Sequence, residues 1–309
     1  MKRRDFLRSS MITAGATGLV SINSFAAPNV NHPKENKRFN LLYAPHFGMF
    51  RNLAGEDLVD QLKFMHDQGF MAFEDNGMKD RSVADQERIA KTMAQLGMKM
   101  GVFVAHKIYW TEPNLASGNE DKRKEFLSQI SESVEVARRV NARWMTVVPG
   151  HVDLRLDQGF QTANVVESLR RACEILEPHG FVMVLEPLNF YDHPGLFLKK
   201  IPQAFEVCRA VNSPSCKILF DIYHQQIQEG NLIPNMNKAW KEIGYFQCGD
   251  NPGRKEPTTG EINFHNVFKH IYDMGGTDMI IGMEHGNSRQ GKEGEQAVIE
   301  AYRKVDSFT

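Results

Sequence analysis

Four polar residues spread along the second half of the chain raise the first chemical question. Glu186 closes the apolar run FVMVLEP, Asp221 lies in KILFDIYH, Gln247 in YFQCGD and Glu284 in MIIGMEH. Their separations of 35, 26 and 37 residues each match one strand–helix unit, which places all four at one mouth of a repeated βα fold. One carboxylate at a strand end is ordinarily a loop acceptor or a helix N-cap. Three acids at one mouth, however, repel strongly unless a cation neutralises them, and a divalent metal is the simplest such cation. The all-oxygen set Glu186, Asp221, Gln247 and Glu284 favours Mg2+ or Mn2+ over zinc, which prefers His and Cys. Calcium is disfavoured because the ligands come from separate strands and not from one flexible loop.

Four more residues fall within reach of that mouth. His224 follows Asp221 by three residues, and Arg254 lies in the polar segment QCGDNPGRKEPTTGEINF, Gln247 to Phe264, where a guanidinium can grip a substrate carboxylate or hydroxyl. Glu74 and His106, at the ends of GFMAFE and KMGVFVAH, are candidate substrate contacts. Each also has a plainer reading. His224 could only orient a ligand, Arg254 could be a solvated loop charge, and Glu74 and His106 could be satisfied strand-end groups. His179 and His270 read as surface or packing residues. The Pro and Gly residues of the polar segment suggest an extended path with little entropy to lose, and Asn263 suits a helix N-cap.

The elements that must hold these residues are visible as alternation. From Phe39 onward, short apolar runs alternate with amphipathic segments about eight times: FNLLYA, GFMAFE, KMGVFVAH, RWMTVVPG, FVMVLEP, KILFDIYH, YFQCG and MIIGMEH. Runs this uniformly apolar suit parallel strands covered on both faces. Between them, Leu58, Leu62 and Met65, and likewise Phe126, Ile130, Val134 and Ala137, recur at helical spacing. Gly69, Gly97, Gly180 and Gly244 fall just before strands, where helices should stop. The pattern predicts a (β/α)8 TIM barrel over residues 39–309, with its active site at the C-terminal ends of the strands. A doubly wound sheet is the runner-up, but YAPHFGMF is not the Gly-rich phosphate turn that it requires.

Composition narrows the function. The chain has 37 basic and 38 acidic residues, no basic stripe beyond its first ten residues, and therefore no electrostatic footprint for nucleic acid. Small-molecule chemistry is favoured. Cys173, Cys208, Cys216 and Cys248 match neither a zinc knuckle nor a disulfide scaffold and read as core thiols. The start, MKRRDFLRSSMITAGATGLVSINSFAA, has Arg3 and Arg4 before Phe6 and Leu7, then a mildly apolar stretch and a small-residue end. It resembles a twin-arginine export signal over residues 1–27, so the twin-arginine translocase is an expected partner and the periplasm the expected location. Residues 28–38 read as a polar linker. No later segment reaches 18 apolar residues, so no stable membrane span is expected. Oligomeric state is not fixed, and a homo-oligomer is left open.

The combination LEPLN, FDIYHQQIQEGNL, FQCGDNPGRKEPTTGEINF and GMEHG resembles the hydroxypyruvate isomerase family, within the xylose isomerase-like TIM barrels that also include ketose 3-epimerases. The resemblance covers most of the chain after the signal and is densest from the fifth strand onward. It implies a metal-dependent aldose–ketose isomerase with Glu186, Asp221, Gln247 and Glu284 as metal ligands and Glu186 and Glu284 as the proton-transfer pair. The named expectation is hydroxypyruvate to 2-hydroxy-3-oxopropanoate (tartronate semialdehyde), with a small hydroxy-keto acid or sugar as substrate class. Alternatives are a ketose 3-epimerase acting on a longer sugar and a non-catalytic periplasmic sugar-binding protein. An endonuclease IV-like phosphodiesterase shares the fold but needs a His-rich ligand set. After the last glutamate this chain reads Glu284, His285, Gly286, Asn287, where the family tends to Glu-Tyr-Lys-Pro, and its first and third strands also depart from the family wording.

Overall fold

The computed structural model describes residues 38–308. The expected export signal, and all but the last residue of the expected linker, lie outside the described residues. The elements run β1 (Leu42–Ala44), α1 (Arg51–Ala54), α2 (Leu58–Asp67), β2 (Ala72–Phe73), α3 (Val83–Leu96), β3 (Lys99–Met100), α4 (Glu120–Val140) and β4 (Trp144–Val147). They continue with α5 (Gln158–Leu176), β5 (Val182–Leu185), α6 (Ile201–Val211), β6 (Cys216–Asp221), α7 (Ile222–Gln228), α8 (Leu232–Ala239), β7 (Ile243–Gln247), α9 (Phe264–Asp273), β8 (Ile280–Gly282) and α10 (Gly291–Val305).

Every strand pairing is parallel, in the order β1-β8-β7-β6-β5-β4, with β2 on β3. Two links close the ring. The bridges Met100–Ala142 and Val104–Thr146 join β3 to β4, and the Glu74 N–H donates to the Pro45 carbonyl (3.1 Å) across the β1–β2 seam. The result is the (β/α)8 TIM barrel that the alternation predicts, and all eight apolar runs fall on its strands.

Helix α4 shows why the amphipathic segments settle where they do. Phe126, Ile130, Val134 and Ala137 are buried on one face. Asn119 caps the start by accepting from the Asp121 and Lys122 N–H groups, with Glu120 and Asp121 in the first turn and Arg138 and Arg139 in the last, each sign matching the helix dipole. Such a cap stabilises a helix by about 1 kcal/mol, and each large aliphatic side chain buried adds roughly 1.5–3 kcal/mol. Gly97 and Gly180 end their helices in the left-handed conformation, as expected. Gly244 does not: the preceding short helix ends at Glu242, and Gly244 lies inside β7, where a Cβ would come within 2.8 Å of the Lys217 Cβ. It marks close strand packing and not a helix stop. KILFDIYH also changes element midway, since Asp221 ends β6 and Ile222 begins α7.

The barrel interior holds Ala44, Ala72, Val102, Val182, Val184, Leu219, Tyr245 and Ile280. A larger apolar layer lies between strands and helices. All four cysteines are buried free thiols, as read from their spacing. His179 bonds Arg138 and His270 bonds Asn237 at the protein surface. No helix among the described residues is long and apolar enough to cross a membrane.

Candidate active site

Side chains alternate sides along a strand, so inward residues recur every second position. Continuing the interior series by two residues gives Glu74 after Ala72, Glu186 after Val184, Asp221 after Leu219 and Gln247 after Tyr245. In β8 the series runs Ile280, Gly282, Glu284. The polar ring is therefore the next layer of the barrel filling, at the C-terminal ends where active sites of this fold are built. Gly282 has a specific use there: a Cβ on it would fall 2.0 Å from Glu74 Oε2, so the missing side chain makes room for that carboxylate.

The four residues expected to hold a metal are each engaged differently. Glu186 is 7% exposed, and its carboxylate accepts no hydrogen bond among the described residues. Asp221 is fully buried and does two jobs. Its Oδ1 caps α7 by accepting from the Tyr223 and His224 N–H groups (2.8 and 3.4 Å), while Oδ2 faces Arg254 Nη2 at 3.2 Å. Gln247 donates through Nε2 to Glu74 (3.3 and 3.4 Å), which leaves its Oε1 buried with no partner among the described residues. Glu284 lies beyond Arg254, accepting from Nη2 (2.6 Å) at one oxygen and from Asn76 Nδ2 (2.7 Å) at the other.

Arg254 owes its position to the polar segment, which does not take the extended path expected of it. The loop folds back around Asp250, whose buried carboxylate accepts from the N–H groups of Asn251, Gly260 and Ile262. The Asp250 N–H donates to the Lys255 carbonyl at 2.7 Å. Gly260 is needed in this turn because a Cβ would lie 2.3 Å from the Asn251 carbonyl oxygen. Arg254 itself has φ of 50°, a left-handed conformation that costs an ordinary residue of order 1 kcal/mol or more. Its guanidinium bonds Glu284 and Asp221 and lies 4.9 Å from the centre of the Tyr223 ring, so this loop cation is not merely solvated. Asn263 caps α9, as expected.

Glu186, Asp221 and Glu284 converge on the Arg254 guanidinium with Glu74 beneath them, which makes the site electrostatically demanding. Burial pushes Glu74 and Glu186 well above the usual carboxylate range, and the Glu284 and Asp221 charges push the same way. Burial also raises Asp221 and Glu284, against the pull of Arg254. His224 is driven well below its ordinary value by burial and by Arg254 and His193, so its imidazole is neutral. Its Nδ1 lies 2.7 Å from Asn189 Nδ2. Its Nε2 lies 3.8 Å from Glu186 Oε1 and 3.6 Å from Asp221 Oδ2, too far for hydrogen bonds.

Of the expected acidic ligands, Glu186 and Asp221 lie close enough to share a divalent cation, while Glu284 falls outside that cluster. Glu186 and Asp221 present oxygens within 4.8 Å of one another, with His224 Nε2 in the same cluster. Gln247 Oε1 is a buried acceptor with no partner among the described residues, costly to bury unless something binds it.

Glu74 and His106 are engaged differently from the substrate contacts expected of them. Glu74 accepts from the Tyr245 hydroxyl (2.9 Å) as well as from Gln247, beneath the mouth. His106 is 4% exposed, with Nδ1 bonded to the Lys107 carbonyl (2.9 Å) and Nε2 accepting from the Val148 N–H (3.3 Å). Both of its ring nitrogens therefore have backbone partners. Other residues near the mouth went unread in the sequence. Asn189 and Tyr223 lie inside the quoted motifs LEPLN and DIYH, and Asn76 lies two residues beyond Glu74. Trp110 stacks on His193 (4.9 Å, 25°), whose ring is 5.5 Å from that of His224, and no spacing rule links those two segments.

The family of xylose isomerase-like TIM barrels matches residues 62–305 of this closed parallel barrel, and the chain belongs to it. It is an isomerase by its relatives. Hydroxypyruvate isomerase of Escherichia coli (strain K12) is 31% identical over 181 residues, covering 55% of this chain and 70% of that one. The 2-oxo-tetronate isomerase of Cupriavidus necator is 29% identical over 164 residues, covering 53% of this chain and 63% of that one, so under two thirds of the latter is spanned. Among solved structures, an AP endonuclease, family 2, from Brucella melitensis superposes with a TM-score of 0.72 at 23% identity, covering 84% and 98% of the two chains. The IolI protein with a bound zinc atom gives 0.67 at 17% identity, covering 85% and 98%. At those identities the structural likeness is one of fold.

Proposed function

We propose that this chain is a divalent-metal-dependent isomerase of small hydroxy-carbonyl compounds, with hydroxypyruvate to 2-hydroxy-3-oxopropanoate as the reaction. The observation that carries the reading is the ring of oxygen donors at four successive strand ends, in which Gln247 Oε1 and the Glu186 carboxylate are left unengaged. Glu186, Asp221, Gln247 and Glu284 would hold the cation, Mg2+ or Mn2+ by the chemistry of the set. When bound, that cation supplies electrophilic polarisation of the substrate carbonyl and balances charge that develops as a proton leaves the neighbouring carbon.

The chain's own residues do the rest. Glu186 is the open carboxylate and takes the proton from the hydroxymethyl carbon; Glu284 or Glu186 returns a proton to the former carbonyl carbon, while the hydroxyl proton moves to the other oxygen. Positive charge from Arg254 favours the basic form of Glu186. Arg254 Nη1 has no partner among the described residues and can meet a substrate oxygen. Acid–base assistance of this kind is worth roughly 10²–10⁴ in rate.

The test is proton exchange in deuterated water, followed by NMR across hydroxy-keto acids and ketoses with Mg2+ or Mn2+ present. Deuterium at the carbon beside the carbonyl of hydroxypyruvate, lost on chelation, is the expected result. Label at carbon 3 of a ketose with inversion would instead favour the epimerase, and ligand binding without exchange the sugar-binding protein. Export to the periplasm is part of the same reading. Replacing Arg3 and Arg4 by Lys should leave the protein in the cytoplasmic fraction; unchanged recovery from the periplasm would remove the twin-arginine assignment.

A further inference from the structure

His224 has two possible roles at this mouth, and the group behind it chooses between them. A neutral imidazole carries one proton: the nitrogen that holds it donates, and the other accepts or binds metal. Asn189, fully buried, sits behind Nδ1. Its Oδ1 is already used, accepting from the Tyr191 and Asp192 N–H groups (3.0 and 2.9 Å). That orients the amide so that Nδ2 faces both Asp192 Oδ2 (3.0 Å) and His224 Nδ1 (2.7 Å). Asp192 is held in turn by the Tyr223 hydroxyl, which donates to the same oxygen at 2.9 Å. An N–H group facing Nδ1 requires a lone pair there.

The geometry points to Asn189 as a positioning residue that fixes His224 in its Nε2–H form, so that His224 donates a hydrogen bond to a substrate oxygen and is excluded from the metal set. The inference rests on the reading of the site as an isomerase mouth. Nε2 is buried, aimed between Glu186 and Asp221, and has no hydrogen-bond partner among the described residues, as expected of a donor that waits for an acceptor. A carbonyl oxygen that gains negative charge is such an acceptor. Proximity alone would have counted His224 as a ligand alongside Glu186 and Asp221.

The tautomer can be read directly by ¹⁵N–¹H NMR of histidine-labelled, metal-free protein. The expected pattern has Nε2 protonated and Nδ1 unprotonated at His224, unchanged when Mg2+ or Zn2+ is added. The double substitution Asn189→Asp with Asp192→Asn reverses the donor direction while keeping the same set of atoms in contact. It should move the proton to Nδ1, raise Zn2+ affinity because a lone pair now faces the site, and lower kcat roughly 10²-fold. A wild-type spectrum with Nδ1 protonated, loss of the Nε2 proton on adding metal, or an unaltered tautomer in the double variant would each overturn the assignment. Because the spectrum needs no turnover, inactivity on every hydroxy-carbonyl compound would defeat the isomerase reading and leave the tautomer result standing.

Discussion

From β5 to β8 the strand ends present Glu186, Asp221, Gln247 and Glu284 toward the mouth, whereas β2 and β3 turn Glu74 and His106 into contacts with the protein itself. The strands differ in part in the same sense. β4 to β7 pair over three or four registered positions at each interface and β8 over two with β7 and three with β1, while β2 and β3 share two and rely on isolated bridges and one loop hydrogen bond to close the ring. A continuous ladder fixes the next inward side chain by parity. Where the ladder is short, loop geometry decides which way a polar side chain faces. Glu74 still follows parity but ends under Gln247, and His106 is claimed by Val148 and Lys107.

The largest effects should come from the β5–β8 side. Glu186→Gln and Glu284→Gln should each lower kcat by roughly 10²–10⁴ while the metal-free protein keeps its melting temperature, since each change removes an acid held above its usual range. Unaltered turnover in both variants would sink the proton-transfer pair.

His106 should act on stability and through pH. Burial lowers its pKa from 6.5 to about 4. Between those values the unfolded chain binds the proton and the folded chain does not, so this contribution is fully present above pH 6.5 and is lost as pH falls toward 4. At 1.36 kcal/mol per unit it amounts to about 3 kcal/mol. Urea denaturation at pH 7 and pH 4.5 should show a smaller loss for His106→Asn than for the native chain; equal losses would place the acid sensitivity elsewhere.

Glu74 should give the smallest of the three effects. Its carboxylate accepts from Gln247 Nε2, and Gln247 Oε1 is left without a hydrogen-bond partner among the described residues. Glu74→Gln sets two amide groups against each other and should weaken Mn2+ binding roughly 10–100-fold, measurable by calorimetry. An unchanged affinity would mean that Gln247 does not need this support, and the contrast between the two halves would weaken.

Much of this was legible before any fold was known. The eight apolar runs set the strands, and one-unit spacing brought Glu186, Asp221, Gln247 and Glu284 to one end, because parallel strands buried on both faces admit little else. The segment from Gln247 to Phe264 was legible in location but not in shape. Its compact turn depends on three N–H groups converging on Asp250, which no periodicity encodes. Gly244 was misread for a similar reason: a glycine before an apolar run looks alike whether it ends a helix or clears space for Lys217.

The sequence by itself determined the barrel and the strand ends that carry oxygen donors, both of which follow from regular spacing. Only the tertiary structure decided how those donors are used: Arg254 between Asp221 and Glu284, Glu74 beneath Gln247, and Asn189 behind His224. Those contacts join residues 30 to 173 positions apart, across different strands. Hydrogen-bond direction at a buried site depends on which partner stands on each side, and spacing along one chain does not specify that.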